Sequence, residues 1–282
     1  RDRFRESNLI AEWANTLNLM GWIMTQKGQY QQAKTCYEES RELYRQAQDP
    51  SQVTDLDLNL TVLLFLQGQF NTVKQALLSL YKQMVEENAP QPAQAYNFLF
   101  RATLLLQEKE YASAEELVQT SLAIAVDWND LGLQIESCIT RGHLLAALGQ
   151  ADAARQAYHQ ALEAHRGLKW KPALYFEICA GQARLALAQG DLSAALNLAE
   201  QILPQLEGSA PLPHANDVFS IYLAVYQVLQ AASDPRAEGV LRAARALLEE
   251  RAAAIPDEAL RRSYMENIPS HRAILSLPIH RP

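Results

Sequence analysis

Along Ala33 to Ala47 the small and apolar positions are Ala33, Cys36, Tyr37, Ser40, Leu43, Tyr44 and Ala47, while Gln, Lys, Glu and Arg take most of the rest. A recurrence every three or four residues is the period of an amphipathic helix with one face in a core. The turn before it, KGQYQQA at Lys27 to Ala33, returns as QGQFNTV at Gln67 to Val73 and EKEYASA at Glu108 to Ala114. It returns again as LGQADAA at Leu148 to Ala154 and QGDLSAA at Gln189 to Ala195, at spacings of 40, 41, 40 and 41 residues. A sixth, degenerate copy carries Asp234 and Pro235 in the turn. Glycine just past a helix end supplies the positive φ that stops it, so these glycines read as turns rather than a phosphate cradle. Self-similarity at a period of roughly 20 to 50 residues marks a solenoid, each unit too small to bury its own apolar face.

Breaks between units fall at QDPSQ from Gln48, NAPQPAQ from Asn88, DWNDLG from Asp127, GLKWKPA from Gly167 and EGSAPLPHAN from Glu207. Proline beyond a helix end is a stop signal. Runs of β-branched residues are scarce, and no Asn-Gly or Asp-Gly hairpin sits between alternating apolar residues. The expectation is an all-α chain forming one continuous rod. About thirteen helices would be paired from near Glu6 to Ala254 and closed by a helix N-capped by Asp257.

The pattern resembles the tetratricopeptide repeat. With Gly28 as position 15, position 8 is Gly21, position 20 is Ala33, position 24 is Tyr37 and position 27 is Ser40; the fourth copy has Gly142, Ala154, Tyr158 and Ala161 there. Small residues at positions 8 and 20 let two helices approach, and the aromatic at 24 fills the space between units. The resemblance implies a right-handed superhelical solenoid of antiparallel helix pairs. Its six units would run over residues 14–53, 54–94, 95–134, 135–175, 176–213 and 214–254, with residues 255–282 as a capping helix and tail over the last repeat.

The same resemblance points positions 2, 5, 9, 12 and 13 of each first helix into a concave groove. Position 2 reads Asn15, Asp55, Tyr96, Glu136 and Glu177, and position 9 reads Trp22, Val62, Thr103, His143 and Arg184. Seven residues are two helical turns, so both rows share a face. Asn18 and Asn59 join them. The candidate binding residues are therefore Asn15, Asn18, Trp22 and Asn59 in a polar and aromatic patch, with Glu136, His143, Glu177 and Arg184 in a charged one. Amides pair with peptide backbone, and tryptophan offers an anchor.

A formal net charge of −7 makes neither nucleic acid nor an anionic membrane a natural partner. No apolar run of about 18 residues is present for a membrane span, and a cytoplasmic location is expected. Cys36, Cys138 and Cys179 match no metal or redox spacing and read as buried thiols. No phosphate loop, HExxH or CxxC occurs, and His159 and His165 face different directions on their helix. No catalysis, cofactor or metal is expected. Arg101 and Arg141 share position 7, where a half-buried arginine needs a carboxylate, and an ion pair is the expectation for each. The pairs Glu38 and Glu39, and Glu115 and Glu116, read as solvated outer faces. Trp128 and Trp170 read as linker packing.

The C-terminal stretch IPDEALRRSYMENIPSHRAIL, Ile255 to Leu275, looks like the closing segment of large bacterial signal-transduction ATPases and transcriptional activators of the maltose-operon type. There, arrays with a period near 40 follow a nucleotide-binding switch domain. The chain begins at Arg1 rather than methionine, which fits a piece of something larger. What this resemblance implies is a non-catalytic interaction and sensor module that binds a protein, a peptide or a small-molecule inducer, with a nucleotide-binding domain upstream. The alternative is a free-standing peptide receptor or adaptor, like the repeat halves of the pheromone receptors of Gram-positive bacteria.

Overall fold

The computed structural model describes residues 2–168, 172–206, 212 and 217–278, and every regular element among them is a helix. Twelve helices form six consecutive hairpins. The first three are α1 (Asp2–Gln26) with α2 (Tyr30–Gln46), α3 (Pro50–Leu66) with α4 (Phe70–Glu86), and α5 (Gln91–Glu108) with α6 (Tyr111–Asp127). The others are α7 (Leu131–Ala147) with α8 (Ala151–Arg166), α9 (Pro172–Ala188) with α10 (Leu192–Leu206), and α11 (Val218–Ala231) with α12 (Arg236–Ala253). Two short helices follow: α13 (Glu258–Glu266), the closing helix expected after Asp257, and α14 (Pro269–Ser276), an additional helix that starts at Pro269.

One hydrogen-bonded turn closes all six hairpins. In the first, Gly28 N–H donates to Thr25 O at 3.0 Å and Gln29 N–H to Met24 O at 2.9 Å. The same pair of bonds recurs at Gly68, Lys109, Gly149, Gly190 and Ser233. These residues all have positive φ, between 56° and 79°. The motif satisfies the orphan carbonyls of a helix C-terminus and demands a left-handed residue, which explains why glycine fills four of the six places. Asp49, Asp130 and Asp217 then start α3, α7 and α11 by accepting a backbone N–H three residues on.

Close approach of paired helices depends on the small residue at position 8. A Cβ on Gly21 would lie 2.6 Å from the Tyr37 ring, and one on Gly142 would lie 2.5 Å from Tyr158. Gly181, on α9, meets the other side of that ring at 2.6 Å. Tyr158 thus fills the space between two successive hairpins, among Ile135, Leu145, Ala154, Ala161 and Ile178. Burying such a side chain stabilises by about 2–3 kcal/mol.

The chain divides into two compact units where the repeat period predicts an uninterrupted rod. Unit 1 is Arg1–Asn97 with Arg251–Ile268, and unit 2 is Phe98–Glu250 with Pro269–Pro282. In unit 1, α13 packs on the turns of the first two hairpins. Ser263 Oγ donates to Gly68 O at 2.9 Å, Asn267 Nδ2 donates to the same oxygen at 3.0 Å, and the buried Tyr264 ring lies 5.8 Å from Tyr30. At the end of α12, Arg251 packs against the Gly28 turn. In unit 2, α14 lies on α11, where His271 meets Phe219 edge to face at 4.5 Å. Within residues 255–282, then, α14 lies on the last hairpin in unit 2, while α13 packs on the first two turns in unit 1. Asp257 does cap α13, through Leu260 N–H at 2.8 Å.

Candidate functional site

In unit 1, α1 and α3 lie one hairpin apart and bring two of the expected residues into contact. Asn59 Nδ2 donates to Asn18 Oδ1 at 3.1 Å. Asn18, Trp22 and Asn59 are half-buried, whereas Asn15 is exposed. Amides at positions 5 and 6 of successive repeats thus join across the hairpins and leave the Asn18 N–H groups and the Asn59 carbonyl for other partners. On the same helix as Asn59, Asp55 is half-buried and bears a carboxyl raised to about 6, first by burial and then by the charge of Asp49.

In unit 2, α7, α8 and α9 wall a cleft of about 270 Å³ lined by His143, Tyr158, Gly181, Arg184 and aliphatic side chains that include Leu185. His143 Nδ1 and the Tyr158 hydroxyl share a hydrogen bond of 2.6 Å. Burial, reinforced by the Arg184 charge, holds the imidazole pKa down at about 3, so the ring is neutral at physiological pH. Burial pushes the Tyr158 phenol up to about 12 against the pull of Arg184. The Arg184 guanidinium donates from one nitrogen to Ser220 O at 3.2 Å and Ser220 Oγ at 3.0 Å. Among the described residues no carboxylate pairs with it. A neutral ring, a phenol and a cation beside an apolar wall suit a ligand with an acidic group and a short apolar stem.

Of the four residues expected in a charged patch, His143 and Arg184 line this cleft, while Glu136 and Glu177 are half-buried and do not line it. Two contributors were not anticipated. Tyr158 reads from its position as a spacer between units, and nothing local shows that its hydroxyl reaches His143. Ser220 lies 36 residues from Arg184, and only the packing of α9 on α11 joins them.

The remaining polar expectations divide. Arg141 is an ion-pair residue, its Nε 3.0 Å from Glu115 Oε1. Glu115 is consequently half-buried, not the solvated outer charge expected of it, whereas Glu38, Glu39 and Glu116 are exposed. Trp128 is half exposed at the C-cap of α6 rather than packed within a linker, and Trp170 lies outside the described residues. All three cysteines are free. Cys138 and Cys179 are buried, with thiols pushed up to about 11 by desolvation, but Cys36 is only partly covered, because its side of α2 lies at the margin of the core. Among the described residues no three His, Cys, Asp or Glu side chains converge as metal ligands, and no helix is long and apolar enough to cross a membrane.

Comparison with known proteins agrees with this architecture. The tetratricopeptide-repeat family model matches residues 14–47 and 135–166, which contain the Gly21–Tyr37 and Gly142–Tyr158 contacts. No curated protein matches the chain at a significant level. Among solved structures, BtubC (BKLC) from P. vanneervenii is similar at TM-score 0.55 and 17% identity over 82% of this chain and 94% of that one. A chain of the APC/C hetero-tetramer Cut9–Hcn1 is similar at TM-score 0.51 and 14% identity, over 96% of this chain and 46% of that one. At such identities the likeness is one of fold. The sequence is similar to tetratricopeptide repeats in its first and fourth hairpins, and the described residues form an all-helical array of hairpins closed by one recurring turn.

Proposed function

We propose that this chain is a non-catalytic interaction and sensor module of a larger bacterial signal-transduction ATPase or transcription regulator. Its repeats hold a protein or peptide ligand, and an acidic group of that ligand meets Arg184. Tetratricopeptide repeats generally serve as protein-interaction modules, which supports the coarser part of this reading. The observation that supports an acidic ligand group is the half-buried Arg184 cation, whose guanidinium donates to the neutral oxygens of Ser220 in a cleft with an apolar wall. The Arg141 guanidinium of the neighbouring hairpin has its carboxylate; that of Arg184 leaves room for one from outside.

The test is titration of the protein with fluorescent peptides that differ in having a free or an amidated C-terminus and acidic or neutral side chains. The expected result is preference for the acidic set, weakened at least tenfold by Arg184→Gln with unchanged melting. Trp22→Ala should cost about 2 kcal/mol of binding, the loss of an interface anchor. Equal binding of acidic and neutral peptides would overturn the assignment of Arg184. Unfolding of the first hairpin by Trp22→Ala, with binding intact, would remove Trp22 from the site. The regulatory part is read in the full-length gene product, whose nucleotide hydrolysis should change when the array ligand is added.

A further inference from the structure

Tyr158 is 1% exposed, its ring held against Gly142 of its own hairpin and Gly181 of the next. Among the described residues its hydroxyl has one partner, His143 Nδ1 at 2.6 Å. Burial keeps the phenol protonated, and a buried hydroxyl with no second acceptor gives its proton to the one it has. Nδ1 is therefore the acceptor. The imidazole is neutral, its pKa held at about 3 by burial and then by the Arg184 charge, so its single hydrogen sits on Nε2. His143 is half-buried in the cleft wall, and its Nε2 has no partner among the described residues.

Arg184 supplies the other donors. Its Nη1 is committed to the two Ser220 oxygens, which leaves the edge of Nε and Nη2, two parallel N–H bonds that match a planar carboxylate. The rest of the wall is Ala146, Gly181, Leu185 and Ala188, with no side chain that accepts a hydrogen bond. The open polar groups of the cleft are thus donors only. An ionised carboxylate accepts and never donates, so it satisfies them, whereas a carboxamide brings two N–H bonds that find no acceptor. Charge selects further. One cation beside an apolar wall balances the single charge of a carboxylate, not the nearly double charge of a phosphate monoester. The tautomer is decisive, because an Nε2 without hydrogen would repel the carboxylate and accept from the amide. A space of about 270 Å³ with aliphatic walls takes such a group on a short apolar stem.

We infer that Tyr158 is a positioning residue for the ligand: by donating to His143 Nδ1 it fixes the Nε2–H tautomer, and His143 with Arg184 then selects an ionised carboxylate on a short aliphatic stem over its amide. The inference rests on Arg184 meeting an acidic group, and the test separates the two. Long-range proton–nitrogen NMR spectra of the imidazole are expected to show hydrogen on Nε2 in the unaltered protein. Tyr158→Phe, which keeps the ring and removes the hydroxyl, should bring Nδ1–H into the population. Isocaproate should perturb the His143 signals at about tenfold lower concentration than isocaproamide. In Tyr158→Phe that ratio should collapse toward one, with circular dichroism unchanged. Competition by a peptide ending in free leucine and by an end-capped peptide with an internal glutamate tells a chain-end carboxylate from a side-chain one. An Nδ1–H ring in the unaltered protein overturns the inference. So does a ratio that survives Tyr158→Phe; loss of isocaproate binding in Arg184→Gln would then leave the acidic site standing without it. Binding of neither compound removes the acidic site and the inference together. Should Tyr158→Phe lose its fold, the tautomer of the unaltered protein and the ratio in His143→Gln, expected to collapse likewise, decide.

Discussion

Ser263 donates its hydroxyl to the carbonyl oxygen of Gly68 across 195 residues of chain, and Asn267 donates to the same oxygen. In a repeat array whose units touch only their neighbours, the first hairpins fray at little cost. In unit 1 the first two hairpins are instead sealed at their turns by a helix from the far end of the sequence.

Tyr264→Ala is therefore expected to cost about 3 kcal/mol, as for removal of any fully buried aromatic ring, and to loosen more than its own helix. Hydrogen exchange is the measurement: amides of α1 to α4 should lose protection together with those of α13. Loss confined to α13 would show that the seal does not support the hairpins beneath it.

The turn glycines separate two costs. Gly149 has φ +75° with nothing within 4 Å of a built Cβ, so Gly149→Ala should lose only the left-handed penalty of about 1 kcal/mol. Gly68 has φ +74° and a built Cβ only 2.6 Å from Ser263 O, so Gly68→Ala should lose clearly more, by displacing α13. Conversely Lys109 holds the same turn at φ 65°, and Lys109→Gly should stabilise by about 0.5–1 kcal/mol. Denaturant melts of the three variants check the order.

His143 has a folded-state pKa of about 3, below the ordinary histidine value. A depressed imidazole contributes stability that is fully present above about pH 6.5 and is lost as pH falls toward 3. His143→Gln should accordingly flatten the fall in melting temperature between pH 7 and pH 4. A variant whose melting tracks the wild type across that range would show that the ring titrates normally.

Asp55 has the opposite sign. Its carboxyl is raised to about 6, so the stability it contributes is present below about pH 3.8 and lost as pH rises through 6. Asp55→Asn is expected to stabilise the protein at pH 7 to 8 by about 1–3 kcal/mol, with the gain vanishing below pH 4. Melts at both pH values test it, and a gain that persists in acid would point to packing rather than charge.

Local order along the chain was written into the residues themselves. The turn glycines, the small residue at position 8 opposite the tyrosine at position 24, and the aspartate caps act within one hairpin or between neighbours. A 40-residue period therefore exposes them, and Gly21 against Tyr37 and Gly142 against Tyr158 follow from it. The candidate site was half legible for the same reason. Register put His143 and Arg184, both at position 9, into one cleft, because equivalent positions on successive first helices stand side by side, and it brought Asn18 at position 5 within reach of Asn59 at position 6. What periodicity cannot carry is any partner whose choice depends on the whole stack. The hydrogen bond between Tyr158 and His143, the Ser220 oxygens under Arg184 and the pairing of Glu115 with Arg141 depend on how side chains fill the space between packed helices. The docking of Ser263 and Tyr264 on turns almost two hundred residues earlier was decided by tertiary structure alone, since a nine-residue amphipathic helix presents the same apolar face to whichever surface it reaches first.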